Sequence, residues 1–123
     1  MPVDVLIVDD SAAIRKILQR VLRHAEIPLG QVHEAGDGLE ALEKLKTEKV
    51  TLVLADINMP NMDGLQLLAQ IKASAEWKHL PVIMVTTEGN QSKVLEAAQL
   101  GANGYVRKPF TADQIQHVLA HLI

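Results

Sequence analysis

Val5-Leu6-Ile7-Val8-Asp9-Asp10 is a short apolar run that ends abruptly on two carboxylates. Three later runs end on polar residues in the same way: 52–55 before Asp56, 82–85 before Thr86, and the looser 105–106 before Arg107-Lys108. Short apolar runs of this kind are typical of parallel strands that are buried on both faces of a sheet. The carboxyl ends of parallel strands share one edge of the sheet. We therefore expect three carboxylates, a hydroxyl and an ammonium to gather at that edge.

Helical patterns separate these runs. Apolar residues at helical spacing behind Ser11, a good N-cap, predict a helix over about 12–25. Gly30 is expected to close the next turn, before a second strand at 31–35. Further helices are expected after Gly38, after Gly64, over 91–100 and over 112–122, with strands near 51–55, from Pro81 and at 105–106. Five strands alternating with five helices predict an α/β fold with one doubly wound parallel sheet, order 2-1-3-4-5, of the flavodoxin-like type.

Length and composition set bounds on the class of protein. A chain of 123 residues fits one domain, expected to span residues 1–123. A formal net charge of −3 with scattered Lys and Arg offers no basic surface, so we expect no direct binding of nucleic acid. The absence of cysteine excludes disulfide and thiolate chemistry. No apolar stretch has the length of a membrane span and no signal peptide is recognisable, so we expect a cytoplasmic protein with no membrane insertion.

The predicted cluster of carboxylates indicates a site for a hard divalent cation. Two like charges about 4 Å apart repel by roughly 4 kcal/mol at an effective dielectric near 20, so a cation has to lie among them. Mg²⁺ binds through one or two carboxylates and keeps waters and positions for phosphate oxygens. We expect Mg²⁺, with Mn²⁺ as an alternative, bound directly by Asp10 and Asp56. Asp9 is expected to act through a bound water, and a carbonyl at Asn58 to complete the protein ligands.

Polar residues expected on the far side of Asp56 extend this site toward phosphoryl chemistry. With a cation on one side and Thr86, Thr87 and Lys108 on the other, the centre fits a phosphoryl group whose oxygens each find a partner. Asp56 is the candidate nucleophile, because a carboxylate can form an aspartyl phosphate. The chain has no cysteine and no serine with a base beside it.

Four segments carry a resemblance to a known family. They are Asp9-Asp10, Asp56-Ile57-Asn58-Met59-Pro60-Asn61-Met62-Asp63-Gly64, Val85-Thr86, and Gly104-Tyr105-Val106-Arg107-Lys108-Pro109-Phe110. Together they resemble the receiver domains of bacterial two-component response regulators, nearest to the single-domain chemotaxis type, over essentially the whole chain. The resemblance implies a phosphorelay in which a histidine kinase or phosphotransfer protein phosphorylates Asp56 with Mg²⁺. Water then removes the phosphoryl group.

The resemblance also implies a conformational switch and its tuning. Thr86 and Tyr105 match the switch pair of the family, which repacks the face made by the fourth helix, fifth strand and fifth helix, where a downstream protein target binds. Asn58 and Glu88 match positions that flank the path of the attacking water and set the rate of phosphoryl loss. Thr87 is larger than the alanine often found at its position, which would restrict access to the site.

Other functions remain open on the sequence alone. The chain is expected to be a stand-alone signalling phosphoacceptor that catalyses only its own phosphorylation and dephosphorylation, and not an enzyme. The alternative is a receiver excised from a longer regulator with a DNA-binding or enzymatic output. A flavin mononucleotide carrier fits poorly, because Asp9-Asp10 would repel the flavin phosphate. A phosphatase working through an aspartyl phosphate also fits poorly, since its motif has Asp-x-Asp after the first strand.

Overall fold

Five parallel strands form a single sheet in the order β2-β1-β3-β4-β5. The computed structural model describes residues 2–87, 91–108 and 111–120. The strands are β1 (Val3–Val8), β2 (Leu29–Ala35), β3 (Leu52–Ala55), β4 (Val82–Thr86) and β5 (Gly104–Arg107). The helices are α1 (Ala12–His24), α2 (Gly38–Thr47), α3 (Gly64–Ala73), α4 (Gln91–Gln99) and α5 (Ala112–Ala120). The predicted fold class, element order and strand order are confirmed.

The central strands β1, β3 and β4 are apolar on both faces because each alternates between two separate hydrophobic clusters. In β1, Leu6 and Val8 contribute to a cluster beneath α2, α3 and α4, whereas Val5 and Ile7 contribute to one beneath α1 and α5. All four side chains are essentially inaccessible to solvent. Burying an aliphatic side chain of this size contributes about 1.5–3 kcal/mol. Two-sided burial therefore explains why these strands are continuous apolar runs.

Strand register brings the carboxyl ends of the central strands together. Val8 of β1 lies opposite Ala55 of β3, and Ala55 lies opposite Met84 of β4. The residues that follow Val8 and Ala55 are the aspartates of the predicted site. The site is thus a consequence of the parallel pairing.

Side-chain caps begin the helices just beyond this edge. Ser11 accepts a hydrogen bond from the backbone N–H of Ile14 (3.2 Å) at the start of α1. Asp63 and Gln66 form a reciprocal capping box at the start of α3. An N-cap of this kind contributes about 1 kcal/mol and fixes where the chain turns from strand to helix. None of the helices in the described ranges is long and apolar enough to cross a membrane.

The start of β2 differs from the prediction. Gly30 lies inside the strand and does not close a turn, because β2 begins at Leu29. The pairing of β1 with β2 shifts between Val3 and Val5, where β2 carries an extra residue. Asp4 from β1 accepts a hydrogen bond from the backbone of Gln31 (2.8 Å), and a Cβ at position 30 would collide with that carboxylate. Glycine at position 30 therefore leaves room for the Asp4 carboxylate to approach the backbone of β2.

Candidate functional site

Three carboxylates lie together at the carboxyl edge of the sheet. Asp9, Asp10 and Asp56 each offer a carboxylate oxygen, and these atoms all lie within 4.8 Å of one another. Asp9 is 1% exposed and Asp56 is 8% exposed, whereas Asp10 is exposed. The predicted gathering of these side chains is confirmed by the geometry.

Asp9 is held through each of its polar groups. Its N–H donates to the carbonyl of Ala35 (3.0 Å), and its carbonyl accepts from the guanidinium of Arg15 (2.5 Å). Of its carboxylate oxygens, Oδ1 accepts from the backbone N–H of Ser11 (2.9 Å) and Oδ2 from the Lys108 ammonium (2.6 Å). Asp9 is therefore a fixed, buried charge.

Asp56 is oriented by its own strand and by the loop that follows. Its N–H donates to the carbonyl of Val8 (2.9 Å), and Oδ1 accepts from the backbone N–H of Ile57 (2.7 Å). The other oxygen, Oδ2, lies 3.3 Å from the Lys108 ammonium. Gly64 closes the loop at the start of α3, where a Cβ would overlap the backbone carbonyl of Asp56. Only glycine allows the helix to begin this close to the carboxylate.

Lys108 is the cation of the site. Its backbone N–H donates to the carbonyl of Thr86 (2.9 Å), and its side chain is 11% exposed. We expected the ammonium on the side of Asp56 remote from the acidic pair, but it lies between Asp56 and Asp9 and is nearer to Asp9. With Asp10, three carboxylates face one ammonium, which leaves a formal charge of −2 in the cluster.

The remaining predicted residues surround this edge of the sheet. Thr86 is fully buried at the end of β4, and Thr87 beside it is exposed. Asn58 is exposed in the loop two residues after Asp56. Tyr105 is partly buried in β5. Glu88 lies outside the described residues, so its predicted position is not tested.

A connection between the loop that follows Asp56 and α2 is not predictable from the local sequence. The Asn61 side chain donates to Oδ2 of Asp37, the N-cap of α2 (2.7 Å), and the N–H of Gly38 donates to the carbonyl of Met62 (3.0 Å). Hydrogen bonds from the backbone of Glu40 and from Asn61 lower the pKa of Asp37. The residues at 36–38 predict the start of a helix, but nothing in the local sequence indicates the partner of Asp37 across the loop.

The donor set suits a hard divalent cation. Carboxylate oxygens are the ligands that Mg²⁺ and Mn²⁺ prefer, and the formal charge of −2 is the amount that one such ion neutralises. The exposed position of Asp10 leaves one side of the cluster open to solvent. The residues present therefore fit the predicted metal.

An apolar groove lies between α4 and β5. Its volume is about 630 Å³, and its lining includes Val94, Leu95 and Ala98 of α4 with Tyr105 and Arg107 of β5. Leu95 is 60% exposed, the largest exposed fraction among the large apolar side chains of the described residues. Ala98 is also exposed and contributes to this groove.

A doubly wound parallel sheet binds its ligands at the carboxyl edge, where the strand order reverses, and here that edge carries three carboxylates and a lysine. The family model for the response regulator receiver domain matches residues 5–120, so the chain belongs to that family.

Relatives and solved structures agree with this membership. Chemotaxis protein CheY-3 of Vibrio cholerae is 45% identical over 115 residues, which cover 94% of this chain and 87% of the relative. The structure of chemotaxis response regulator CheY4 of Vibrio cholerae has a TM-score of 0.87 at 32% identity, with all of both chains covered. The Mn²⁺-bound form of response regulator Rcp1 has a TM-score of 0.83 at 29% identity, covering 98% of this chain and 94% of that chain.

Members of this family share a general function. Receiver domains of response regulators act in two-component signalling and bind Mg²⁺ at an acidic pocket, and they are signalling proteins and not classical enzymes. The resemblance to CheY-type receivers, predicted from the four motif segments, is confirmed.

Proposed function

We propose that this chain is a phosphoacceptor whose Asp56 receives a phosphoryl group from the phosphohistidine of a histidine kinase or phosphotransfer protein. The observation that carries the proposal is the environment of Asp56. One of its carboxylate oxygens is fixed by the backbone of Ile57, and the other lies 3.3 Å from the Lys108 ammonium within an acidic cluster. A nearly buried carboxylate with one oxygen held in place and the other beside a cation is oriented for attack on a phosphoryl group.

In the transfer step, a carboxylate oxygen of Asp56 attacks phosphorus in line with the leaving imidazole nitrogen. The new O–P bond forms as the N–P bond breaks, and the imidazole nitrogen leaves with the electron pair of that bond. A phosphoryl group attached to Oδ2 would have the Lys108 ammonium beside it. The ammonium then exchanges part of its contact with Asp9 for a phosphoryl oxygen, which is a charge-assisted hydrogen bond.

A divalent cation is part of this proposal. Mg²⁺, or Mn²⁺, would be held by Asp10 and Asp56 directly, by Asp9 through a water, and by the carbonyl of Asn58. When bound, the cation supplies positive charge that offsets the repulsion between the carboxylates and the incoming phosphoryl oxygens. Support comes from the close approach of the three carboxylates and from the Mn²⁺-bound form of the similar Rcp1.

Thr86 and Thr87 are proposed as further phosphoryl partners, and Thr86 with Tyr105 as the switch. Thr86 is fully buried at the last position of β4, so movement of its hydroxyl toward a phosphoryl oxygen would change packing behind it. Tyr105 lines the groove between α4 and β5, and its ring would rotate into the space that the Thr86 hydroxyl leaves. Two or three charge-assisted hydrogen bonds of about 1.5–3 kcal/mol each match the ~5.5 kcal/mol that inverts a 1:99 equilibrium.

The proposal includes the other expectations from the sequence. Asn58 and Glu88 tune the rate at which water removes the phosphoryl group. The face of α4, β5 and α5 binds a downstream protein target, and its apolar groove supports that assignment. Residues 1–123 act as one receiver domain in the cytoplasm without binding nucleic acid directly. The similarity to CheY-3 supports a role in chemotaxis.

The test is intact-mass spectrometry after incubation with acetyl phosphate and Mg²⁺. The wild-type protein should gain one phosphoryl group, and Asp56→Asn should gain none. Asp113→Asn, which removes an exposed carboxylate on α5, is the matched control and should be phosphorylated like the wild type. Equal phosphorylation of Asp56→Asn would refute the proposal. Beryllofluoride, a phosphoryl mimic, should likewise occupy the wild-type site and not that of the variant.

A further inference from the structure

Arg15 of α1 reaches the segment that follows β1, and its hydrogen bonds to the described residues go to Glu34 and to a backbone carbonyl, not to any of the three carboxylates of the cluster. Its Nε donates to Oε1 of Glu34 in β2 (2.8 Å), and its Nη1 donates to the backbone carbonyl of Asp9 (2.5 Å). The side chain is 18% exposed, and Glu34 is further paired with Lys16 (3.1 Å). Arg15 therefore links α1 and the edge strand β2 to the point where β1 ends.

The carbonyl that Arg15 binds belongs to the peptide unit between Asp9 and Asp10. That unit is planar, so fixing the direction of its C=O also fixes the direction of the Asp10 N–H and the position of the Asp10 Cα. Asp9 is held before this peptide by Ala35 and at its side chain by Lys108, and the hydrogen bond from the Ser11 N–H to Oδ1 of Asp9 spans Asp10. The Arg15 hydrogen bond acts on the carbonyl of the peptide itself.

Asp10 depends on this restraint more than its neighbours do. Its carboxylate makes no hydrogen bond or ion pair with the other described residues, and it is exposed. The carboxylates of Asp9 and Asp56, by contrast, accept hydrogen bonds of their own. The direction in which Asp10 projects is therefore set by the backbone, and the backbone is set in part by Arg15.

We infer that Arg15 is a positioning residue for the divalent-cation site, acting on Asp10 through the Asp9–Asp10 peptide. The inference rests on the proposed function, because it concerns the same cation site. Groups that orient metal ligands from behind typically change metal affinity 10–100-fold when they are removed. Glu34 belongs to the same device, because its carboxylate holds the guanidinium between strand and loop.

Charge and positioning predict opposite results when Arg15 is neutralised. Arg15 is a cation near a cation site, so removing its charge alone would leave the affinity for a divalent ion unchanged or increase it. Loss of positioning would decrease that affinity. The sign of the change therefore distinguishes the two roles.

The experiment is an equilibrium titration with Mn²⁺, in which free ion is measured by electron paramagnetic resonance, on the wild type, Arg15→Gln, Arg15→Lys and Lys16→Gln. Lys16→Gln is the matched control, because Lys16 also pairs with Glu34 but does not contact Asp9. We expect Arg15→Gln to raise the dissociation constant about tenfold or more. Lys16→Gln should stay within about twofold of the wild type.

Arg15→Lys keeps the charge but presents a single ammonium in place of the planar fork that donates to two acceptors at once. We expect Arg15→Lys to lose part of the affinity for Mn²⁺. If Arg15→Gln does not fold, the titration of Arg15→Lys tests the inference in its place. Melting temperatures measured without metal separate positioning from general destabilisation, since Arg15→Lys should melt within a few degrees of the wild type. Affinity in the Arg15 variants equal to or tighter than wild type would overturn the inference. Absence of Mn²⁺ binding by the wild type would instead refute the proposed cation site itself.

Discussion

Neutralising Asp10 should stabilise the protein without metal and should remove its stabilisation by Mg²⁺. The carboxylate of Asp10 lies within 4.8 Å of those of Asp9 and Asp56, and it has no partner among the described residues. Because Asp10 is exposed, the dielectric constant of water applies, and each repulsion at that distance is about 0.9 kcal/mol. The Lys108 ammonium, which lies 2.6 Å from Asp9 and 3.3 Å from Asp56, opposes part of these two repulsions. Asp10→Asn should therefore gain about 1 kcal/mol.

Urea denaturation in EDTA at low ionic strength measures this difference, which corresponds to about 4 °C in melting temperature for a domain of this size. The gain should shrink as NaCl is raised, because salt screens exposed charges. Glu96→Gln on α4 is the control, since it removes one exposed negative charge away from the cluster. That variant should melt close to the wild type.

Added Mg²⁺ should reverse the order of stability. At a concentration 100-fold above the dissociation constant, a ligand stabilises the folded state by about 2.7 kcal/mol. The wild type gains this amount and Asp10→Asn gains little, if Asp10 is a direct ligand. Two results would contradict this reasoning. One is a variant no more stable than the wild type in EDTA, and the other is equal stabilisation of both proteins by Mg²⁺.

Two further predictions concern the loop after Asp56. Gly64→Ala places a Cβ against the backbone carbonyl of Asp56, so its free energy of unfolding in urea should fall by about 1–3 kcal/mol. Gly36→Ala is the control, because its Cβ meets only an ordinary contact, and its stability should change little. Hydrogen bonds from Glu40 and Asn61 lower the pKa of Asp37 in the folded protein. The ionised carboxylate therefore contributes its full stabilisation of the folded state above the ordinary pKa of 3.8, and this stabilisation is lost as the pH falls through the lower pKa of the folded protein. Acid titrations followed by circular dichroism should therefore show a smaller loss of stability for Asp37→Asn than for the wild type.

The fold was predictable because its information is local. Each of the three central strands appears as an apolar run that ends on a polar residue, and right-handed crossovers leave few arrangements for five strands that alternate with helices. The start of β2 was predicted wrongly because Gly30 serves a contact with Asp4, which lies 26 positions earlier in the chain. Nothing in the residues around Gly30 distinguishes that use from a turn.

The site was predictable in part for the same reason. Asp9, Asp56 and Lys108 follow directly from strand ends, so parallel pairing alone brings them together. The contacts of Arg15 and of Asn61 join elements through side chains and backbone carbonyls. Such contacts depend on helix rotation and loop path, which apolar periodicity does not specify.

The three carboxylates differ in how firmly they are held, and this difference gives the cluster its chemistry. Asp9 is paired with Lys108 and fixed at every polar group, so it keeps the ammonium in place. Asp56 shares that ammonium at a longer distance, 3.3 Å against 2.6 Å, so a phosphoryl group on Asp56 can compete for it. Asp10 is held only through its backbone, and its charge remains uncompensated among the described residues. An arrangement with one fixed, one shared and one uncompensated charge favours the binding of a divalent cation, and in the proposed function that cation also attracts the negative charge of the incoming phosphoryl group.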